Sequence, residues 1–152
     1  MMLGRSLVSV VDDDVSVRES LPDLLRELGY AAVAFSSAEE FLASDSIGQT
    51  ECLLLDIAMP GISGPDLHSE LTLQGRNIPV IYITGGGDQT TRACMLKRGA
   101  VECLRKPFSD EALLKALNVA FQEAERKLAT PTSMRAEGAG KHLACREDGE
   151  VQ

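Results

Sequence analysis

Asp56 closes the apolar run Cys52-Leu53-Leu54-Leu55 and is followed at once by Ile57-Ala58-Met59-Pro60-Gly61. A carboxylate at the tip of such a run sits where a buried parallel strand reaches the surface, and the Pro-Gly pair then forces a turn. Asp13 takes the matching place after Leu7-Val8-Ser9-Val10-Val11, inside the triplet Asp12-Asp13-Asp14. If these strand ends are neighbours, an acidic pocket lies at one edge of a sheet. Taken alone, the triplet also reads as a solvated charge cluster favoured by a helix N-terminus. Packed near a fourth carboxylate, the three acidic groups repel one another and the site calls for a cation. Hard oxygen donors suit Mg²⁺, which accepts one or two carboxylates and keeps waters that a phosphate can replace.

Two later residues belong to the same kind of chemistry. Thr84 ends the run Ile81-Tyr82-Ile83 and precedes Gly85-Gly86-Gly87, so its hydroxyl is expected at the same crevice edge. It also reads as a plain β-branched strand residue before a flexible loop. The glycine run is a weak phosphate-loop signal, because no Gly-Lys-Ser/Thr follows it. Lys106 lies in Arg105-Lys106-Pro107-Phe108, just after another apolar run. An exposed lysine is commonly a solvated charge, but beside an acidic cluster it serves as a counter-ion and suits a phosphoryl oxygen. Pro107 is a candidate for a cis peptide bond. His68 has no partner at metal-ligand spacing and reads as a surface residue.

The elements that must position these groups alternate. Leu7–Val11, Ala31–Phe35, Cys52–Leu55, Ile78–Ile83 and Val101–Leu104 read as strands. A helix near 15–28 gathers Val17, Leu21, Leu24, Leu25 and Leu28 on one face and ends at Gly29, with Pro22 demanding a kink or a tight packing compromise. A second helix follows Ser36-Ser37 and buries Phe41 and Leu42. A third runs about 64–74 with Pro65 in its first turn, and a fourth about 88–98 stops at Gly99. Ser109 caps the fifth, whose stripe is Leu114, Leu117, Phe121, Ala124 and Leu128.

Five successive βα units predict an α/β fold, a doubly wound parallel sheet of order 2-1-3-4-5. In that order the winding reverses between strands 1 and 3, and the crevice lies at their carboxyl ends. Asp12, Asp13 and Asp56 are placed there by topology.

The 152 residues fit one domain of common size, with 44% hydrophobic and 25% charged residues. Residues 1–128 form the expected domain, and 129–152 read as a disordered tail with no apolar period. A net charge of −8 argues against sequence-independent nucleic-acid binding. Apolar runs fall far short of the roughly 20 residues of a membrane span. The start of the chain lacks the pattern of a signal peptide. Cys52, Cys94, Cys103 and Cys145 include no C-x-x-C pair, which suits inert thiols in a reducing cytoplasm.

Order and spacing make these motifs more specific than any one of them. Val-Val-Asp-Asp-Asp at 10–14, Leu53 through Gly61, Ile83-Thr84-Gly85 and Lys106-Pro107-Phe108 each end a successive core strand. Over about residues 6–125 the chain resembles the receiver domain of two-component response regulators, a CheY-like flavodoxin fold. Val17–Leu21, Phe35–Leu42 and Ile78–Asp88 are similar to its FixJ-like subgroup. The resemblance implies that Asp56 accepts a phosphoryl group from a histidine kinase or phosphotransfer protein. It implies that Mg²⁺ is held by Asp13, Asp56 and the backbone carbonyl of Ala58, with Asp12 helping through water. It also implies that Thr84 and Lys106 bind the phosphoryl oxygens. The implied protein is a cytoplasmic phosphoacceptor rather than an enzyme, acting alone on a downstream protein, with a homodimer through helix 4, strand 5 and helix 5 offered by analogy.

Two departures stand out. Relatives usually carry an aromatic switch residue three positions before the lysine, where this chain has Cys103. Ala58 and Gly86 place small side chains where relatives place larger polar ones, leaving water less obstructed. Competing readings are a Mg²⁺-dependent phosphohydrolase, a truncated or degenerate DNA-binding transcription regulator, and an interaction module with a vestigial pocket. The hydrolase lacks its usual second aspartate two residues after the nucleophile, where Ala58 stands.

Overall fold

Three of the five strands carry almost no polar residue because both of their faces are covered. In the computed structural model, which describes residues 6–86 and 89–129, strands β1 (Leu7–Val11), β2 (Ala31–Phe35), β3 (Cys52–Asp56), β4 (Val80–Thr84) and β5 (Glu102–Arg105) form one parallel sheet. Their order is β2-β1-β3-β4-β5, as the sequence predicts. The inner strands β1, β3 and β4 are buried nearly end to end, while β2 and β5 at the edges are only partly covered. Continuous Val/Leu/Ile runs are what a strand covered on both sides requires.

The chain divides into two compact units, Met1–Ile78 and Pro79–Gln152. In the first, helix α1 (Val15–Glu27) is capped by Asp14, and α2 (Ala38–Leu42) by Ser37, whose hydroxyl accepts from Glu40 N–H. Leu21 and Leu25 are buried and Val17, Leu24 and Leu28 partly so, as the periodicity requires. The helix runs through Pro22 without interruption, with the ring buried; the packing compromise is the outcome. Phe41 is fully buried and meets Phe35 edge to face, ring centroids 5.4 Å apart, whereas Leu42 is half-buried. A 3-10 turn at Asp45–Gly48, absent from the periodicity reading, leads into β3. There the Thr50 hydroxyl donates to the Ser46 carbonyl and lies 2.6 Å from the buried Ser9 hydroxyl of β1. This pair satisfies the one polar side chain within β1.

In the second unit, α4 (Gln89–Lys97) and α5 (Asp110–Ala129) accompany β4 and β5. The buried stripe of α5 is Leu113, Ala116, Leu117 and Ala120, an i, i+3, i+4, i+7 set. Leu114, expected inside, is 37% exposed. One residue is a 100° rotation, so Leu114 falls on the flank, while Leu117 is buried as expected and Phe121 partly so. Ala124 and Leu128 lie outside the residues whose side chains are described; of the tail expected at 129–152, Ala129 still belongs to α5 and 130–152 lie outside the described residues. Among the described residues, no helix is long and apolar enough to cross a membrane.

Between β3 and α3 (Gly64–Leu73) the chain must turn back within a few residues. Gly61 takes a positive φ of 78°, and Gly64 N–H donates to the Ile57 carbonyl at 2.9 Å. Gly64 presses directly on the backbone carbonyl of Asp56; a Cβ there would collide with that oxygen. The end of β3 therefore has its place fixed by a glycine eight residues later.

Gly64→Ala is expected to lower stability by about 1–3 kcal/mol, the usual cost of overpacking, because backbone rather than a mobile side chain must give way. Chemical denaturation checks it. A second expectation concerns pH. Burial pushes the Cys52 thiol from 9.0 up to about 12. Between those values the unfolded chain has lost the thiol proton and the folded chain has kept it. Stability is thus complete below pH 9 and declines as pH rises toward 12, by up to about 1 kcal/mol per pH unit. Urea midpoints of the parent and Cys52→Ala, compared from pH 8 to 10.5, should converge as the pH rises.

Candidate functional site

Parallel pairing of β1 with β3 sets Val10 beside Leu54 and Val11 beside Leu55. The next residues along each strand are Asp12 and Asp56, so the two carboxylates leave the sheet at one level. Asp12 is fully buried and Asp56 is 7% exposed, while Asp13 is exposed. One carboxylate oxygen from each of the three lies within 4.8 Å of the others. Two full charges at that spacing repel by about 3 kcal/mol at an effective dielectric of about 20.

The backbone of Asp12 is tightly held. Its N–H donates to the Phe35 carbonyl at 3.1 Å, and its carbonyl accepts from Arg18 Nη1 at 3.1 Å. Its Oδ1 accepts from the Asp14 N–H at 2.9 Å, and Oδ2 is buried with no hydrogen bond. Asp14 turns to another task. Its Oδ1 accepts from Ser16 N–H and Ser16 Oγ, at 3.0 and 2.7 Å, which caps α1. The triplet is thus divided between a cap and a cluster.

The cluster fits Mg²⁺. Its donors are all hard oxygens and include two buried carboxylates, and exposed Asp13 leaves one side open to the waters that the ion retains. Of the expected ligands Asp12, Asp13, Asp56 and the Ala58 carbonyl, the three aspartates lie together. Ala58 lies exposed in the turn that follows.

Thr84 and Lys106 come together in the second unit. β4 and β5 pair Ile83 with Leu104 and Thr84 with Arg105, and Lys106 N–H donates to the Thr84 carbonyl at 2.8 Å. Both residues are half-buried. The Thr84 hydroxyl is engaged within its own loop, donating to the Gly86 carbonyl at 2.5 Å and accepting from Gly86 N–H at 3.2 Å. The Lys106–Pro107 peptide is cis. Cys103 is buried and pairs in register with the fully buried Tyr82. Burial raises its thiol pKa, neighbouring Glu102 adds to the rise, and Arg92 opposes it. Among the described cysteines, Cys52 and Cys103 are buried and Cys94 half-buried, all as free thiols.

Sequence reasoning missed three contributors. Gly64 had a signal, the next glycine after Met59-Pro60-Gly61, at a helix entry. Arg18 gave none beyond lying one turn after the acidic triplet. Nor did the Arg92–Glu102 ion pair, 2.7 Å between α4 and β5, in which Glu102 also accepts the Cys103 N–H at 2.9 Å.

Comparison with known proteins gives this geometry a family. Residues 8–118 match the response regulator receiver domain. The chain is 46% identical over 123 residues to nodulation protein W of Bradyrhizobium diazoefficiens, covering 81% of this chain and 54% of that protein. It is 41% identical over 114 residues to the transcriptional regulatory protein FixJ of Azorhizobium caulinodans, covering 75% and 54%. The chain thus spans about half the length of these curated relatives. Among solved structures, response regulator StyR superposes with a TM-score of 0.74 at 42% identity, covering 88% of this chain and 68% of that one. The crystal structure of FixJ-N gives 0.68 at 37%, covering 78% and 94%. Receiver domains are phosphoacceptors that generally bind Mg²⁺ through acidic residues and interact with histidine kinases and downstream targets. With the sheet order, the acidic strand ends and the match over most of its length in agreement, the chain belongs to the response regulator receiver domain family.

Proposed function

We propose that Asp56 accepts a phosphoryl group from a phosphohistidine on a histidine kinase or phosphotransfer protein. The gathering of the Asp12, Asp13 and Asp56 oxygens at the ends of β1 and β3 carries this reading. One Asp56 oxygen forms the new bond to phosphorus as the phosphorus–nitrogen bond to the donor breaks. The electron pair leaves on the imidazole nitrogen, which takes up a proton. Asp13, Asp56 and the Ala58 carbonyl would hold Mg²⁺, with Asp12 acting through water; bound there, the ion offsets the charge of two approaching anions.

Lys106 and Thr84 are assigned to the phosphoryl oxygens. Lys106 supplies a compact positive charge. Thr84 supplies a hydrogen bond, for which its hydroxyl must leave the Gly86 carbonyl. That exchange couples the modified aspartate to the loop after β4, and contacts that differ between two states are what shift their populations. The product is an acyl phosphate, whose ready hydrolysis suits a temporary signal. In this reading the protein works in the cytoplasm and relays the signal by protein contact, with self-association through the α4, β5 and α5 face as one form of that contact.

A second reading has a specific observation behind it. Relatives such as FixJ are named transcriptional regulatory proteins, and the chain spans about half of them. The chain is then the receiver portion of a DNA-binding regulator. Whether the source reading frame continues past Gln152 separates the two readings.

Incubation with Mg²⁺ and a small phosphodonor, read by intact mass, should give one phosphoryl adduct in the parent and none in Asp56→Asn. Lys106→Ala should form the adduct about a hundredfold more slowly, as expected when a preorganised charge is removed. An adduct that persists in Asp56→Asn overturns the proposal. Multiple turnover of a phosphate ester would favour the phosphohydrolase instead.

A further inference from the structure

Arg18 stands beside the acidic cluster with a charge of the wrong sign for a cation site. It lies in the first turn of α1, where its backbone N–H donates to the Asp14 carbonyl at 3.2 Å. From there Nη1 reaches back to the Asp12 carbonyl at 3.1 Å. That carbonyl belongs to the peptide joining Asp12 to Asp13. Its orientation decides whether the exposed Asp13 side chain swings toward Asp12 and Asp56 or away into solvent.

The end of β2 holds the other side of this backbone. Glu40, at the start of α2, accepts from Ser36 N–H at 2.6 Å and from Ser36 Oγ at 3.1 Å. Those bonds, with the positive charge of Arg18 adding to them, hold the Glu40 carboxyl below the ordinary range. Ser36 itself follows Phe35, whose carbonyl takes the Asp12 N–H. The arginine and the end of β2 thus grip the two sides of the Asp12 backbone.

We infer that Arg18 is a positioning residue for the divalent-cation site, acting through the Asp12–Asp13 peptide rather than by touching ion or phosphate. The inference rests on the proposed Mg²⁺ site at Asp12, Asp13 and Asp56. Its sign distinguishes it from simple electrostatics. Removing a nearby positive charge should tighten cation binding, whereas removing a positioning group should weaken it.

The experiment uses the full chain and three readouts. Mg²⁺ affinity is measured by calorimetry without phosphodonor, hydrogen exchange at the Asp13 and Asp14 amides without metal, and phosphorylation rate at saturating Mg²⁺. Arg18→Gln should raise the Mg²⁺ dissociation constant about tenfold. It should speed exchange at those amides and leave the rate at saturating Mg²⁺ close to that of the parent. Arg18→Lys, which keeps a donor of the same charge, should recover part of the affinity and supplies the comparison if Arg18→Gln folds poorly. Unchanged or tighter Mg²⁺ binding in both variants overturns the inference alone. A parent chain that binds no Mg²⁺ overturns the site on which the inference rests as well.

Discussion

Two carboxylates are held at one end of a sheet that has no electrostatic reason to bring them together. What brings them together is the register of β1 against β3. Val10, Val11, Leu54 and Leu55 are fully buried, and each such side chain contributes about 1.5–3 kcal/mol through burial. That sum exceeds the repulsion of about 3 kcal/mol between a pair of carboxylates at the observed spacing. A slip of one residue would turn every side chain of a strand to the opposite face, so the register cannot relax to separate the charges. The sheet therefore concentrates negative charge by force of packing, and a cation at the cluster relieves what packing imposes.

Around that constraint the neighbouring residues divide their tasks. Asp14 is drawn off into the cap of α1, which fixes where the helix begins and hence where Arg18 can reach. The turn after β3 is folded back until Gly64 lies on the Asp56 carbonyl. Both devices act on backbone rather than on the carboxylate side chains of Asp13 and Asp56. A site proposed to bind ion and phosphate in turn needs fixed positions, and backbone anchoring provides them.

Much of this was legible in the amino-acid order because the strongest signals are local. Continuous apolar runs ending at Asp12 and Asp56, glycines after helices and a serine before each of α2 and α5 locate elements without any long-range information. Gly29, Gly75 and Gly99 do follow α1, α3 and α4 with positive φ. In α5 the buried Leu117 was legible, but Leu113 and Leu114 are adjacent leucines and periodicity cannot choose between them. The 3-10 turn at Asp45–Gly48 has no apolar period to announce it. Arg18 and the Arg92–Glu102 pair were illegible for a different reason: they depend on where elements pack, not on spacing within one element.

The missing aromatic at position 103 bears on how a signal would leave the proposed site. Cys103 is too small to swing between a buried and an exposed position as a ring can, and burial keeps its thiol protonated. One tie between α4 and β5 is the ion pair of Arg92 with Glu102, reinforced by the Cys103 N–H on the same Glu102 oxygen. The Arg92 side chain is 52% exposed, and pairs so open to water are worth about 1 kcal/mol or less. Breaking it changes a population ratio by about fivefold at most, which is a soft latch and no lock. The Thr84 hydroxyl is similarly committed to short-range partners in the Gly86 loop, and on the proposed reading it would exchange them for a phosphoryl oxygen at little net loss. On the proposed reading, the phosphoryl group therefore needs only modest differential contacts to move the loop after β4 and, with it, α4 against β5.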